Sequence, residues 1–315
     1  MQSFTAHYGY SRTFQENKLT LGLIHPLETY QGDIPNMDIE HQMNLAKLAE
    51  ESGFAALFVR DIPLREPAFG DVGQIYDPWI FLSYLAAHTE TIALGTASVI
   101  TSFRHPLHLA KSAASLDKLS KERLLFGLAT GDREIEFDVF GVDHGKRATL
   151  YQEAFHVMKK TWATTFPYIQ TNRITLTGKT DILPKPTLGD IPTLVTGFSG
   201  QSLEWIATHS DGWMSYPRNP ILQQKFIDDY RALAKTFKPF AQSLHVDLSE
   251  NPHEEPTYMH LGFRSGHKFL IEYVNQLREI GVNHVIISNK EAKRPADEII
   301  QELAEEVVPH FPVLK

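Results

Sequence analysis

The segment Thr196-Gly197-Phe198-Ser199-Gly200-Gln201-Ser202 holds the densest set of chemically useful residues in the chain. It follows a strand-like run, Pro192–Thr196, and opens a helix-like run, Gly200–His209. Glycines at 197 and 200 let a ligand approach the backbone closely. Free N–H groups and the dipole at a helix start favour an anion, above all a phosphate. Ser199, Gln201 and Ser202 add side-chain donors. The same residues equally suit a tight turn and an N-capped helix without a ligand, so the residues alone leave both readings open. A serine-hydrolase elbow does not fit. Gly-x-Ser-x-Gly would need glycine at 201, where Gln201 stands.

A second candidate is Phe126-Gly127-Leu128-Ala129-Thr130-Gly131-Asp132. Gly127 and Gly131 could admit a ligand, or could be a packed strand glycine and a turn. Arg147 opens the next helix and could fork onto a phosphate or lie solvated at the surface. Arg60-Asp61 sets opposite charges side by side, which suits an acid/base or substrate-orienting pair and equally a salt bridge. His105 and His108 begin a helix without a third ligand in view, so no metal site is expected.

These residues need a scaffold, and the chain supplies one by alternation. Strand-like runs lie at Leu19–His25, Ala55–Arg60, Ile92–Ile100, Leu124–Ala129, Pro192–Thr196, Gly212–Ser215 and Val285–Ser288. Ser243–Leu248 and Thr257–Phe263 compete for one further place. Helices are expected at Ile39–Ser52, from Asp77-Pro78 to His88, at Pro106–Leu119, Arg147–Trp162, Gly200–His209, Asn219–Phe237, Gly266–Ile280 and Ala296–Val308. Eight strand–helix units predict an α/β fold, a closed (β/α)8 TIM barrel, as one domain over residues 1–315. The stretch Thr164–Gly189 reads as an irregular insertion with a small hairpin around Arg173–Leu183. In such a barrel the site lies at the C-terminal strand ends. The segments just named occupy those ends, as do His25–Glu28, Gly262–Gly266 and Ser288–Lys290.

Composition narrows the chemistry. The 315 residues are 42% hydrophobic and 22% charged, with a formal net charge of −8 and no cysteine. Disulfides, thiolate catalysis and cysteine-held zinc or iron–sulfur clusters are therefore excluded. Lys and Arg are scattered, so no nucleic-acid footprint is expected. Without an apolar leader or an 18-residue apolar run, no membrane association is expected and the chain reads as cytoplasmic.

Several short stretches, in this order, resemble the bacterial luciferase-like family of flavin-dependent oxidoreductases. They are Leu94-Gly95-Thr96-Ala97-Ser98, Arg104-His105-Pro106, Ser115 to Ser120, Arg123-Leu124, and Gly131 through Glu136-Phe137 to Phe140-Gly141. The Gly197–Ser202 loop, Glu204-Trp205, Asp211-Gly212-Trp213 and Gly281 to Val285 complete the set. The resemblance implies the same barrel and an FMN cofactor. Its phosphate would meet Arg147 and Gly197, Phe198, Ser199, Gly200, Gln201 and Ser202, with Thr130 reaching phosphate or ring. A non-proline cis peptide under the ring would fall at Ala97-Ser98, and Met214, Ser215 and Tyr216 would border the ring. Light-emitting members place a histidine after an acid at the end of the second strand. Here Asp61 keeps the acid and Ile62 takes the histidine's place, so light emission is not expected. Asp61, with Arg60, becomes the catalytic candidate.

The activity so implied is a monooxygenase acting with reduced FMN and O2 on a small organic substrate. NAD(P)H would come and go, or a separate NAD(P)H:flavin reductase would supply the reduced cofactor. Alternatives are a deazaflavin (F420)-dependent hydride transferase, a non-catalytic flavin-binding protein, and a phosphate-handling isomerase barrel. The family also implies a homodimer through the helices at 77–88 and 106–119. The aromatics Tyr8 and Tyr10 are expected near the cavity above the ring.

Overall fold

The computed structural model describes residues 4–25, 27, 38–69 and 76–313. Pro26 and Glu28, part of the expected segment His25–Glu28, lie outside the described residues.

Strands β1 (Thr20–Ile24), β2 (Ala56–Val59), β3 (Ala93–Thr96), β4 (Val99–Ile100) and β5 (Leu124–Ala129) form the first half of the sheet. A hairpin, β6 (Tyr168–Gln170) and β7 (Thr175–Thr177), stands apart. Strands β8 (Thr193–Thr196), β9 (Gly212–Ser215), β10 (Phe240–Leu248), β11 (Thr257–Met259), β12 (Gly262–Ser265) and β13 (His284–Ser288) complete it. Parallel pairing runs β1–β2–β3–β5–β8–β9–β10–β13 and returns to β1. Eight strands thus close as a (β/α)8 barrel.

Helices α1 (Tyr8–Thr13), α2 (Ile39–Glu51), α3 (Pro78–His88), α4 (Pro106–Leu119), α5 (Glu134–Val139) and α6 (Arg147–Ala163) accompany the first half. Helices α7 (Leu203–His209), α8 (Pro220–Leu233), α9 (His267–Glu279) and α10 (Ala296–Glu302) accompany the second. Their starts follow local capping chemistry. Asp38 accepts from the amides of Glu40 and His41, and Asp77 from those of Trp79 and Ile80. His105 caps α4 through Nδ1, which accepts from the Leu107 amide at 3.3 Å. That role explains a histidine there without any metal.

Burial on both faces sorts each strand into two layers. Ala56, Phe58, Ala93, Leu125, Leu194, Met214, Ala241 and Ile286 pack inside the barrel. Their alternates, among them Leu57, Leu94, Phe126, Val195, Trp213, Leu244 and Val285, pack outward under the helices. Gly127 belongs to the inner layer. A Cβ there would lie 2.0 Å from the Thr96 carbonyl oxygen and 2.3 Å from Met214 Cε, so this glycine is required by strand packing.

Four sequence expectations shift, and one left open is decided. The run Ile92–Ile100 is two strands, Ala93–Thr96 and Val99–Ile100, with the cis Ala97-Ser98 bond between them. The small hairpin falls earlier than 173–183, and α8 stops at Leu233. The seventh barrel strand is β10, while β11 and β12 form a hairpin added to its C-terminal half. Tyr10 does not approach the mouth. It packs with Phe4 and Phe14 against the inner layer, at ring separations of 5.8 and 5.3 Å. The bonds Gly9 N–H to the Glu122 carbonyl and Thr20 hydroxyl to the Thr13 carbonyl fasten α1 to the starts of β5 and β1. The N-terminal aromatics therefore stopper the end opposite the C-terminal strand ends.

Candidate active site

Strand alternation fixes what faces the open mouth. Continuing the inner layer upward gives Ile24, Arg60, Ala97, Ala129, Thr196, Tyr216, Ser243 with His245, and Ser288. Ala97 and Ile24 still touch the inner apolar cluster, whose Met214 helps form the cup's floor. The arc from β10 to β13 is polar.

The predicted anion loop sits at the β8 end of this mouth. Gly197, Ser199 and Gly200 all have positive φ, at +55°, +48° and +69°. Ser199 is a non-glycine residue held left-handed, and its hydroxyl donates to the Thr196 carbonyl at 2.8 Å. A Cβ on Gly200 would meet the Ala148 Cβ at 2.7 Å, so only glycine lets the loop rest on the first turn of α6. Gln201 Nε2 donates to the Ala148 carbonyl at 3.0 Å and to the Ser199 carbonyl at 2.9 Å, while its Oε1 accepts from Gln152 at 2.5 Å. Arg147, the residue before Ala148, donates to the His144 carbonyl at 3.0 Å. Loop and Arg147 are thus brought together, although about 50 residues separate them in sequence.

One expectation about this loop is corrected. Helix α7 begins at Leu203, not Gly200. Ser202 is its cap, accepting from the Trp205 amide at 3.1 Å. The side chains of Ser199, Gln201 and Ser202 are therefore spent on holding the loop's shape. Donors for an anion have to come from the backbone amides of the turn and the first helical turn. The surface there is open, since a Cβ on Gly197 would find no atom within 4 Å.

Across the mouth, Ser98, at the cis bond, hydrogen-bonds Thr196 hydroxyl to hydroxyl. Thr130 gives its carbonyl to the Ser102 hydroxyl at 2.7 Å, and its own hydroxyl donates to the Gly131 carbonyl at 3.3 Å. Tyr216 is half exposed at the end of β9, where Arg218 donates to the Ser215 hydroxyl at 2.7 Å.

Asp61 takes a partner that its sequence neighbours do not suggest. Its carboxylate accepts from Arg104 Nε at 3.1 Å and Nη2 at 2.9 Å, and from the Ile100 amide at 3.0 Å. The same Arg104 nitrogen reaches Asp77, the cap of α3, at 3.0 Å. Burial works against the Arg104 charge, but the bonds and charges of Asp61 and then Asp77 outweigh it and hold its pKa above the ordinary value. Asp61 is thus bound into the wall behind β4, while Arg60 continues the inward-facing row of β2.

Sequence comparison decides the family. The sequence model described as luciferase-like monooxygenase matches residues 19–298. The chain belongs to the luciferase-like monooxygenase family.

An uncharacterized protein of Mycobacterium tuberculosis is 32% identical over 207 residues, covering 60% of this chain and 73% of that one. The alkanal monooxygenase alpha chain of Photorhabdus luminescens is 26% identical over 168 residues, covering 53% of this chain and 45% of that one. Among solved structures, monooxygenase RslO1 from Streptomyces bottropensis superposes with a TM-score of 0.78 at 20% identity, over 93% of this chain and 99% of that one. An F420-dependent secondary alcohol dehydrogenase, solved with an F420-acetone adduct, gives 0.75 at 17% identity, over the same shares. At these identities the structures share the luciferase-like fold.

Proposed function

We propose that this luciferase-like protein is a flavin-dependent oxidoreductase, a monooxygenase that uses reduced FMN and O2 on a small organic substrate. The observation that carries the cofactor half of this reading is the Gly197–Ser202 turn resting on the start of α6 beside Arg147. Three left-handed residues in four hold the turn in one shape. Backbone amides there, with the Arg147 guanidinium, would hold a terminal phosphate.

The cofactor would supply the redox chemistry when bound. The chain supplies position and surroundings. Ala97 and Met214 offer an apolar seat inside the mouth, with Ser98 beside it. Thr130 and Tyr216 border it from the ends of β5 and β9. Asp61 acts from behind, as a positioning residue: through the Ile100 amide and Arg104 it sets where the chain resumes after the cis bond. Arg60 faces the cup and is the better candidate of the two for touching a ligand.

The F420-dependent reading stays as the second one, because two solved structures of the same fold are F420-dependent enzymes. A titration separates them. Purified protein is mixed with FMN and, separately, with F420, and quenching of cofactor fluorescence is followed. Saturable FMN quenching with micromolar affinity supports the first reading. Saturation with F420 alone supports the second, and no saturation with either rejects both. For the homodimer we point to Ile80 and Leu119, 71% and 74% exposed on α3 and α4. Sedimentation at micromolar concentration tests it, and a monomer there would rule it out.

A further inference from the structure

Strand β10 carries two polar side chains into the barrel that the reading above does not use. Ser243 and His245 continue the inward row begun by Ala241, two residues apart on one face. Ser243 Oγ and His245 Nδ1 are both buried, and neither has a hydrogen-bond partner. Leaving such atoms unpaired is costly in a folded protein. Two adjacent orphans aimed at one mouth mark a place built for a ligand's polar group.

The backbone around His245 is pinned with care. Its carbonyl lies so close to Gly262 that a Cβ there would come within 1.8 Å of it. Its amide donates to the Leu261 carbonyl at 3.0 Å. The β11–β12 hairpin is thereby laid along the end of β10, and its turn sets the His260 ring 6.5 Å from that of His245. On the other side His245 pairs in register with Ser288 of β13. The hairpin adds nothing to barrel closure, since β10 already pairs with β9 and β13. Its visible effect is to immobilise His245.

Charge around this imidazole is mostly positive. Burial holds His245 below the ordinary histidine value. Lys290, Arg60 and His260 push the same way, and Glu291 opposes them. The ring is therefore neutral near pH 7. It can donate or accept, and the positive charges near it favour an anion.

We propose that Ser243 and His245 form the substrate subsite for an anionic oxygen, so that the substrate is a small organic acid whose carboxylate docks on β10. This inference rests on the reading of the mouth as the active site. It does not depend on which cofactor occupies it. The carboxylate would accept from Ser243 Oγ–H and from the protonated His245 ring, so binding draws a proton onto the imidazole.

The test uses benzoate as the carboxylate probe and benzamide as its neutral counterpart. Histidine Cε1–H resonances of the full chain are recorded by NMR, with His245 assigned by its loss in His245→Gln. Benzoate is expected to move the His245 resonance saturably and raise its pKa, and to bind about tenfold more tightly than benzamide. Its affinity is expected to rise as pH falls from 7.5 to 6. Ser243→Ala, a smaller change, is expected to weaken benzoate about tenfold while His245 remains observable. An unmoved His245 resonance at saturating benzoate, or equal binding of benzamide, overturns the proposal. If wild-type protein binds neither FMN nor F420, the cofactor reading fails, while the benzoate titration still decides this subsite.

Discussion

Arg104 holds Asp61 through two nitrogens, Nε at 3.1 Å and Nη2 at 2.9 Å, across 43 positions of sequence. The carboxylate is 1% exposed and the guanidinium 25%. A planar fork on a buried carboxylate is a geometry that lysine cannot copy. Arg104→Ala leaves Asp61 charged and buried with only the Ile100 amide. It is expected to cost about 3 kcal/mol in a urea unfolding titration. Arg104→Lys should recover less than half of that loss. Stability unchanged in Arg104→Ala would show that the pair does not hold the wall.

The anion loop offers a controlled comparison between two left-handed glycines. Gly200→Ala meets the Ala148 Cβ at 2.7 Å with φ at +69°, whereas Gly189→Ala, with φ at +71°, meets nothing within 4 Å. Both carry a backbone penalty of about 1–2 kcal/mol, but only the first displaces the loop from α6. FMN affinity is expected to fall more than about tenfold in Gly200→Ala and to hold in Gly189→Ala. Equal affinities in the two variants would remove the loop from the cofactor site.

Two fully buried histidines set an acid limit. Burial pushes His25 down to about 4, against its hydrogen bond to Gln42, and His284 down to about 3, against Thr20. The unfolded chain takes up protons near pH 6.5 while the folded chain refuses them. Their contribution is complete above about 6.5 and drains away as pH falls towards 4 and then 3. By pH 4 each is expected to have cost on the order of 3 kcal/mol. His25→Gln should flatten the fall in unfolding free energy between pH 6.5 and 4. A slope identical to wild type would exclude His25 from it.

Lys159 allows the two ends of the barrel to be separated. Its Nζ sits 2.9 Å from Asp190 and 2.7 Å from Asp211, at the starts of β8 and β9, and donates to the Ile191 carbonyl. Lys159→Met leaves two carboxylates facing each other in a partly buried place. A loss of about 2–3 kcal/mol in stability is expected, with FMN affinity within about twofold of wild type. Impaired cofactor binding at unchanged stability would reverse that assignment.

Much of this fold is legible in the residues because the signals are local. Asp77-Pro78, Arg147 and Gly281 mark helix boundaries to within a residue or two, and the seven strand-like runs named outright all lie on barrel strands. Helix α1 escapes such reading. It has six residues, a histidine cap and an internal glycine, and so carries no helical period. The site is legible in part for the same reason. The Gly197–Ser202 turn is local and stands out, but the use of its side chains is not readable, because Gln201 is claimed by Ala148 from another helix. Arg104 appears in the sequence only as part of a resemblance, with nothing to indicate that Asp61 is its partner. His245 is hidden in a run that competes with Thr257–Phe263 for one strand, and only closure of the barrel says which way it faces.

The stopper formed by Phe4, Tyr10 and Phe14 closes one end of the barrel among the described residues. On the proposed reading, substrate and cofactor would share the opening at the C-terminal strand ends. If that opening serves both, the molecule lodged deeper would enter first and leave last. A molecule lodged at that rim would then inhibit without resembling anything bound below it.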